Sequence, residues 1–423
     1  MRRVALNPRP NWQAKVEQNG LAYHSPAAMA PNPYWDESAA YHFTAAEIDT
    51  LEAAGNELQK MCLEAAQHVI DHQRYAELAI PADAAPLIEW AWNQEPPAIY
   101  GRFDVSWAGA ASGHPPKLLE YNADTPTTLI EAAVIQWQWM EDMGRSLPET
   151  SLLHKPDQFN SIHDRLIAKW KDVKGYLTEP IYFAALEWED PDPQVAKEAA
   201  EDLLTVTYLR DTANQAGLQT RHIPIQDIGW NPDRHCFVDT DFDENQIYSI
   251  FKLYPWEAML AEEFGPAALA TYRNMTWIEP IWKLLLSNKG ILPILWELYP
   301  NHELLLPAFF ERPGATPGED QHPSGYNRLS SYVRKPLHSR EGANISIVRP
   351  NAQTVETPGP YGAGPFIRQA IAPEAVFANA ANQPRHPILG LWMIDQDCSG
   401  LGIRESAGPI TDNLSCFIPH YFT

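Results

Sequence analysis

The segment YGRFDVSW, residues 100–107, constrains this chain most. It alternates as a strand does, with Gly101, Phe103, Val105 and Trp107 on one face and Arg102, Asp104 and Ser106 on the other. A turn, GHPP at 113–116, leads into KLLEYN, where Leu118, Glu120 and Asn122 share a face. The pair predicts an antiparallel hairpin. It sets Asp104 near Glu120, with Asn122 pointing the same way. Two carboxylates and an amide oxygen are the hard donors that Mg²⁺ takes. The same residues also fit a buried Arg102–Asp104 ion pair, with Glu120 and Asn122 in ordinary hydrogen bonds.

The remainder of the chain predicts a mixed α+β and α/β architecture. Thr44 and Glu47 make a capping-box pattern ahead of an apolar stripe that runs helically through 44–79. Pro126 is placed to open a helix reaching about Met143. A strand at 181–188, a helix at 194–216 ending at Gly217 and a strand at 220–225 read as a βαβ-like layer. Residues 245–255 suit a strand pair or bend, 266–298 a mainly helical stretch broken at Pro280 and Pro293, and 311–328 a loop. Further strands are expected at 332–337, 345–350, 366–371 and 388–395.

Several polar positions suggest ligand chemistry, and each has a plainer structural reading. Thr125 and Thr127 can cap backbone N–H groups or hold a carboxylate or phosphate. Lys335, at a strand end, precedes the loop HSREGAN, where Arg340 and Gly342 could wrap phosphates; a hairpin turn with one glycine would read the same. Lys289 is a second candidate phosphate lysine or a solvated helix-end charge. Arg404, beside Gly400 and Gly402, could face a transferring phosphoryl group or make a salt bridge. No P-loop, dinucleotide-binding, zinc-protease or nucleophile-elbow motif occurs.

Composition narrows the partners. Asp plus Glu total 54 against 31 Lys plus Arg, a net charge of −23, which repels nucleic acid and anionic lipid. Fifteen Trp and seventeen Tyr indicate an aromatic-rich core or substrate clefts. Four scattered cysteines without zinc spacing read as free thiols of a reducing compartment. With no apolar leader at the start, they point to the cytoplasm. The most apolar window, 281–298, is too polar to insert in a membrane.

In order along the chain, YGRFDVSW, LLEYNADTPT, FKLYPWEAM, NKGILPILW, YVRKPLHSREGANI, FIRQAI and GIRES resemble the glutathionylspermidine synthase family, over roughly residues 20–420. The resemblance implies an ATP-grasp-like synthetase of mixed and antiparallel sheets with helices around them and a phosphate-covering loop. It implies ATP and Mg²⁺ as cofactors. Asp104, Glu120 and Asn122 match the magnesium ligands. Arg102, Thr125 and Thr127 match residues around the acyl substrate. Lys289 and Lys335 match nucleotide lysines, and Ser339, Arg340, Glu341 and Gly342 belong to the covering loop. Gln369 to Ile371 would border the adenine, and Arg404 would face the reacting phosphoryl group. The family's bifunctional members carry an amidase domain ahead of the synthetase; here the magnesium motif begins near residue 102, so that domain is expected to be missing. Their acidic pair for the polyamine has no secure match, although Glu187, Glu189, Asp190, Glu201 and Asp202 fall in a suitable stretch.

The function expected is ligation of a small carboxylate, such as a peptide like glutathione, to an amine through an acyl phosphate. Three regions are expected within one compact catalytic unit: 1–180 with the metal-binding hairpin, 181–250 as a pre-ATP-grasp subdomain, and 251–423 as the ATP-grasp region. A non-catalytic or regulatory ATP-binding protein, a kinase and a glycoside hydrolase remain the alternatives.

Overall fold

The computed structural model describes residues 1–30, 32–151, 154–187, 193–240, 244–311 and 329–423. The expected loop 311–328 lies, apart from Glu311, outside the described residues, as do Glu189 and Asp190. The hairpin forms: strands Tyr100–Ser106 and Lys117–Asn122 pair antiparallel, with Arg102 opposite Asn122 and Asp104 opposite Glu120. Beyond that pair the register shifts, so Val105 faces Leu118 and Leu119 is the extra residue. The apolar face, Phe103, Val105 and Trp107, is buried in the core.

This hairpin is one edge of a larger antiparallel sheet. Tyr100–Ser106 pairs with Pro384–Ile394, which pairs with Asp397–Ser406 and then with Cys416–Phe417. Thus Arg404 sits on a strand, one that the glycine-rich GLGIRES segment did not announce. Its glycines serve packing: a Cβ on Gly400 would meet Ile162 at 2.7 Å.

A second sheet is parallel, in the order Thr276–Ile278, Ser249–Leu253, Ile181–Ala185, Thr220–Pro224. Helix Pro193–Gln215 makes the expected crossover between its last two strands. A third, antiparallel sheet has the order Ala308–Phe310, Phe366–Ala370, Tyr332–Pro336, Ser346–Val348, Val355–Glu356. These mixed and antiparallel sheets, with helices around them, are the architecture the sequence predicted.

Three local readings change. The capped helix begins as expected, with Thr44 accepting from Glu47 N and Glu47 accepting from Thr44 N, but it ends at Asp71, where Gln73 turns left-handed. Pro126 does not open a helix; Thr128 is left-handed at φ 68, and a π turn over Glu131–Ile135 precedes helix Gln136–Met143. The 266–298 stretch contains strand Thr276–Ile278 as well as helices, because three β-capable residues there extend the parallel sheet.

Candidate functional site

The charged face of the hairpin floors a cleft with two joined compartments. They share Asp104, Glu120, Lys289, Ser339, Gly342 and Thr411. The larger, about 620 Å³, adds Arg102, Asn122, Thr125, Thr127, Arg340, Glu341 and Arg404. The smaller, about 190 Å³, adds Lys335, Gln369 and Ile371 between the apolar walls of Val333, Ile345 and Ile347. Every residue to which the resemblance gave a metal, nucleotide or acyl-substrate role therefore lines one cleft.

Its charges are paired across elements. Arg102 holds Asp104 through both carboxylate oxygens, at 2.7 and 3.1 Å, and donates to the carbonyl of Thr127 at 2.7 Å. It also lies 5.6 Å over the Trp392 ring. This is the buried ion pair that the structural reading foresaw, now placed on the cleft wall. Lys289 Nζ reaches Glu120 at 2.9 Å and the Ser339 carbonyl at 2.8 Å. Burial opposes ionisation of Glu120, but Lys289 and Lys335 outweigh it and hold the carboxyl below its usual range.

Lys335 donates to the carbonyl of Leu119 at 2.8 Å and to Gln369 Oε1 at 2.7 Å, while Gln369 Nε2 donates to Leu118 O at 3.0 Å. The register shift thus presents backbone carbonyls to a lysine and a glutamine of the neighbouring sheet. Burial pulls the Lys335 ammonium down to about 8, against the pull of Glu120. Asn122 Oδ1 accepts from Thr125 N at 3.2 Å, and Thr125 Oγ1 accepts from Arg340 at 2.9 Å. Arg404 donates to the Asp412 carbonyl at 2.6 Å; its buried Nε has no partner among the described residues.

The loop 339–344 closes the roof. Glu341, Gly342 and Asn344 all take positive φ, and a Cβ on Gly342 would fall on the Thr411 carbonyl oxygen. Only glycine fits that contact.

Sequence reasoning missed the layer beneath. Asp124 and Lys252 form a wholly buried pair at 2.9 Å, with Trp256 N also donating to Asp124 at 3.0 Å. Burial pushes Asp124 up and Lys252 down, each opposed by its partner. Glu257 and Ser287 line the larger compartment as well. Asp124, Lys252 and Glu257 fall in LLEYNADTPT and FKLYPWEAM, but a pairing across 128 positions leaves no periodic trace. Glu201 and Asp202 reach this compartment from helix Pro193–Gln215, while Glu187 instead pairs with His222.

The fold and cleft define a synthetase of the ATP-grasp type. A glutathione-synthetase-like effector from Globodera pallida, solved in its apo form, has the same fold, with a TM-score of 0.54, 10% identity and coverage of 99% of this chain and 100% of that one. Residues 3–423 match the family model described as glutathionylspermidine synthase preATP-grasp, and the chain belongs to the glutathionylspermidine synthase family. It is 36% identical over 430 residues to a Haemophilus influenzae protein provisionally named acid–amine ligase, covering 100% of both. It is 26% identical to the trypanothione synthetase of Crithidia fasciculata, over 85% of this chain and 53% of that one. Against the bifunctional glutathionylspermidine synthetase/amidase of Escherichia coli it is 24% identical, over 75% and 49%. The chain spans about half the length of those last two relatives. Its family is one of ATP-dependent acid–amine ligases, enzymes that form carbon–nitrogen bonds. Among the described residues, no helix is long and apolar enough to cross a membrane.

Proposed function

We infer that this chain activates a small carboxylate with ATP and transfers the acyl group to an amine. The observation that carries this reading is a single cleft where Asp104 and Glu120 stand between Lys289, Lys335, Arg102 and Arg404. Phosphates need the cations, and a hard metal needs the carboxylates.

The adenine goes to the apolar compartment by Gln369 and Ile371, and Lys335 and Lys289 meet the phosphates below. Asp104, Glu120 and Asn122 fit Mg²⁺ by donor chemistry, since a phosphate-bound magnesium takes only one or two carboxylates from protein. Asp104 keeps free lone pairs while Arg102 holds it. Magnesium, when bound, neutralises charge on the phosphate oxygens. The acid lies by Arg102, Thr125 and Thr127, its carboxylate oxygen placed for phosphoryl transfer beside Arg404. Ser339, Arg340, Glu341 and Gly342 cover the site, because water would hydrolyse an acyl phosphate. The amine nitrogen then attacks the acyl carbon, the C–O bond breaks and phosphate leaves with its electron pair.

A glycoside hydrolase would need a carboxylic acid held protonated. Both hairpin carboxylates are instead paired with cations, and Glu120 is driven toward its charged form. The related enzymes' names suggest glutathione as a first acid and polyamines as first amines. The negative surface suits a cationic amine and disfavours nucleic acid. Four unpaired cysteines suit a reducing cytoplasm.

The test is ADP and phosphate release with Mg·ATP against a matrix of thiol peptides, amino acids and polyamines, followed by product mass spectrometry. Release that requires one acid and one amine, with a product mass equal to their sum less water, is expected. Phosphate release that needs no amine and yields a stable phosphorylated acid would replace the ligase with a kinase.

A further inference from the structure

Lys289 stands where the two compartments join, and it lines both. Its Nζ donates to Glu120 Oε2 at 2.9 Å and to the carbonyl of Ser339, on the covering loop, at 2.8 Å. Among the described residues Glu120 has no other hydrogen-bond or ion-pair partner. The neighbouring Lys335 is turned aside, donating to the Leu119 carbonyl at 2.8 Å and to Gln369 Oε1 at 2.7 Å. The Glu120 side chain is 32% exposed, so a cation entering the cleft can reach it.

The second carboxylate is held more firmly. Arg102 grips Asp104 through both oxygens and is itself fixed by the Thr127 carbonyl at 2.7 Å. Lys289 is the more easily moved of the two cations. Its backbone is anchored, with N donating to the Leu337 carbonyl at 2.9 Å, but its ammonium ends a flexible four-carbon stem.

That ammonium has three donors but only one charge. Drawing a phosphate to it while Glu120 stays puts two anions on one cation, and the Lys289 side chain is only 8% exposed, so water screens them little. Glu120 then needs a cation of its own, and it can pass to a divalent ion that arrives with the phosphates. We propose that Lys289 is a positioning residue for Glu120, a resident cation that keeps the carboxylate aimed into the cleft and yields it to magnesium only as a nucleotide phosphate takes the lysine. Nucleotide and metal then bind together, each poorly without the other. This rests on the placement of the phosphates and Mg²⁺ inferred above and adds the exchange between them.

Binding to the full chain tests this with no acid or amine present. The first probe is Mn²⁺ alone, titrated without nucleotide and followed by the paramagnetic resonance signal of the free ion. Lys289→Met is expected to bind Mn²⁺ on the order of 10-fold more tightly than wild type, with the gain abolished in Lys289→Met/Glu120→Gln. A lysine serving only the fold or only the phosphates would give no such gain on removal. If Lys289→Met keeps its Tm and binds Mn²⁺ no better than wild type, the proposal is overturned. The second probe is ATP in EDTA, measured by calorimetry. Glu120→Gln frees the lysine, and it is expected to bind metal-free ATP on the order of 10-fold more tightly than wild type. That gain should vanish in the Lys289→Met background. An equal gain in both backgrounds would show plain repulsion between Glu120 and the phosphates, and no gain in Glu120→Gln would show that the pair does not restrain the lysine. Either result overturns the exchange, and the Glu120→Gln measurement decides alone if Lys289→Met does not fold. Wild type that binds no ATP even with Mg²⁺ would sink the ATP-dependent reading itself, leaving the Mn²⁺ titration to judge the lysine.

Discussion

Lys335 shows how burial turns a single residue into a sensor of its ligand. Its ammonium donates only to a carbonyl and an amide oxygen, and burial holds it down to about 8. An unfolded lysine titrates near about 10.4. Between those values the folded chain binds fewer protons than the unfolded chain, so this residue's contribution makes stability rise with pH across that window. A triphosphate beside it would raise its affinity for a proton. ATP binding at about pH 8.5 is therefore expected to take up a proton, seen as a buffer-dependent enthalpy in calorimetry and lost in Lys335→Met. Buffer-independent binding by wild type would place the phosphates elsewhere. Arg404 makes a different prediction, because it lines the larger compartment and not the smaller one by Ile371. Arg404→Ala should lower kcat by about 100-fold or more with a much smaller rise in the KM for ATP. A pure KM effect would make Arg404 a binding residue. The sequence exposed these positions unevenly. Period-two alternation set Asp104 against Glu120, since strand geometry is local. It could not show that Leu119 steps out of register to offer its carbonyl to Lys335, nor that Asp124 finds Lys252 beneath the cleft, because both depend on how separate sheets meet.

At the scale of elements, the loop 339–344 is the part whose conformation is most narrowly specified. Gly342 has φ +70, its carbonyl accepts from Thr357 Oγ1, and its α-carbon abuts the Thr411 carbonyl. Asn344 Oδ1 accepts from Tyr361 N at 2.7 Å, which fixes the far end. Alanine at 342 would add about 1–2 kcal/mol of left-handed strain to a collision with a backbone atom that cannot swing aside. Gly342→Ala should therefore open the roof and leave the sheets intact. The expected signs are a reduced kcat, more ATP hydrolysis per product formed, and tryptic cleavage at Arg340 that nucleotide no longer suppresses. Unchanged coupling of hydrolysis to product would mean that the loop does not exclude water. Other elements were legible to differing degrees for physical reasons. The capped helix and the βαβ unit show in the sequence because caps and periodicity act over a few residues. The left-handed Thr128, which delays the helix expected at Pro126, does not, since the surrounding packing imposes it. Arg102 donating to the Thr127 carbonyl is part of that packing, so the departure from local preference lies in the site itself.

The whole molecule is sewn through residues far apart in sequence. The hairpin at 100–122 pairs with the strand Pro384–Ile394, which pairs in turn with Asp397–Ser406, so the cleft floor forms only when both regions are folded. A smaller sheet extends the same logic: Arg2–Ala5 pairs with Ala39–Phe43, which pairs in parallel with His420–Phe422. His420 is fully buried, its ring bonded to Gln136 Oε1 at 2.9 Å, and burial pulls it down to about 3. Gln136 in turn donates to the carbonyl of Leu401 at 2.7 Å, on the strand that carries Arg404. Removing residues 420–423 would strip one strand from that sheet, empty the space of Tyr421 and leave buried Gln136 Oε1 without its partner. An unsatisfied buried group costs about 1–3 kcal/mol and a lost aromatic side chain about 3–5 kcal/mol. The truncated chain is therefore expected to melt in one transition at a clearly lower Tm and to bind ATP more weakly, because Gln136 links this corner to the Arg404 strand. Scanning calorimetry and nucleotide titration would check both. A lowered Tm with ATP affinity unchanged would show that the cleft holds its geometry independently of the small sheet, and that the bond from Gln136 to Leu401 supports the fold without tuning the site.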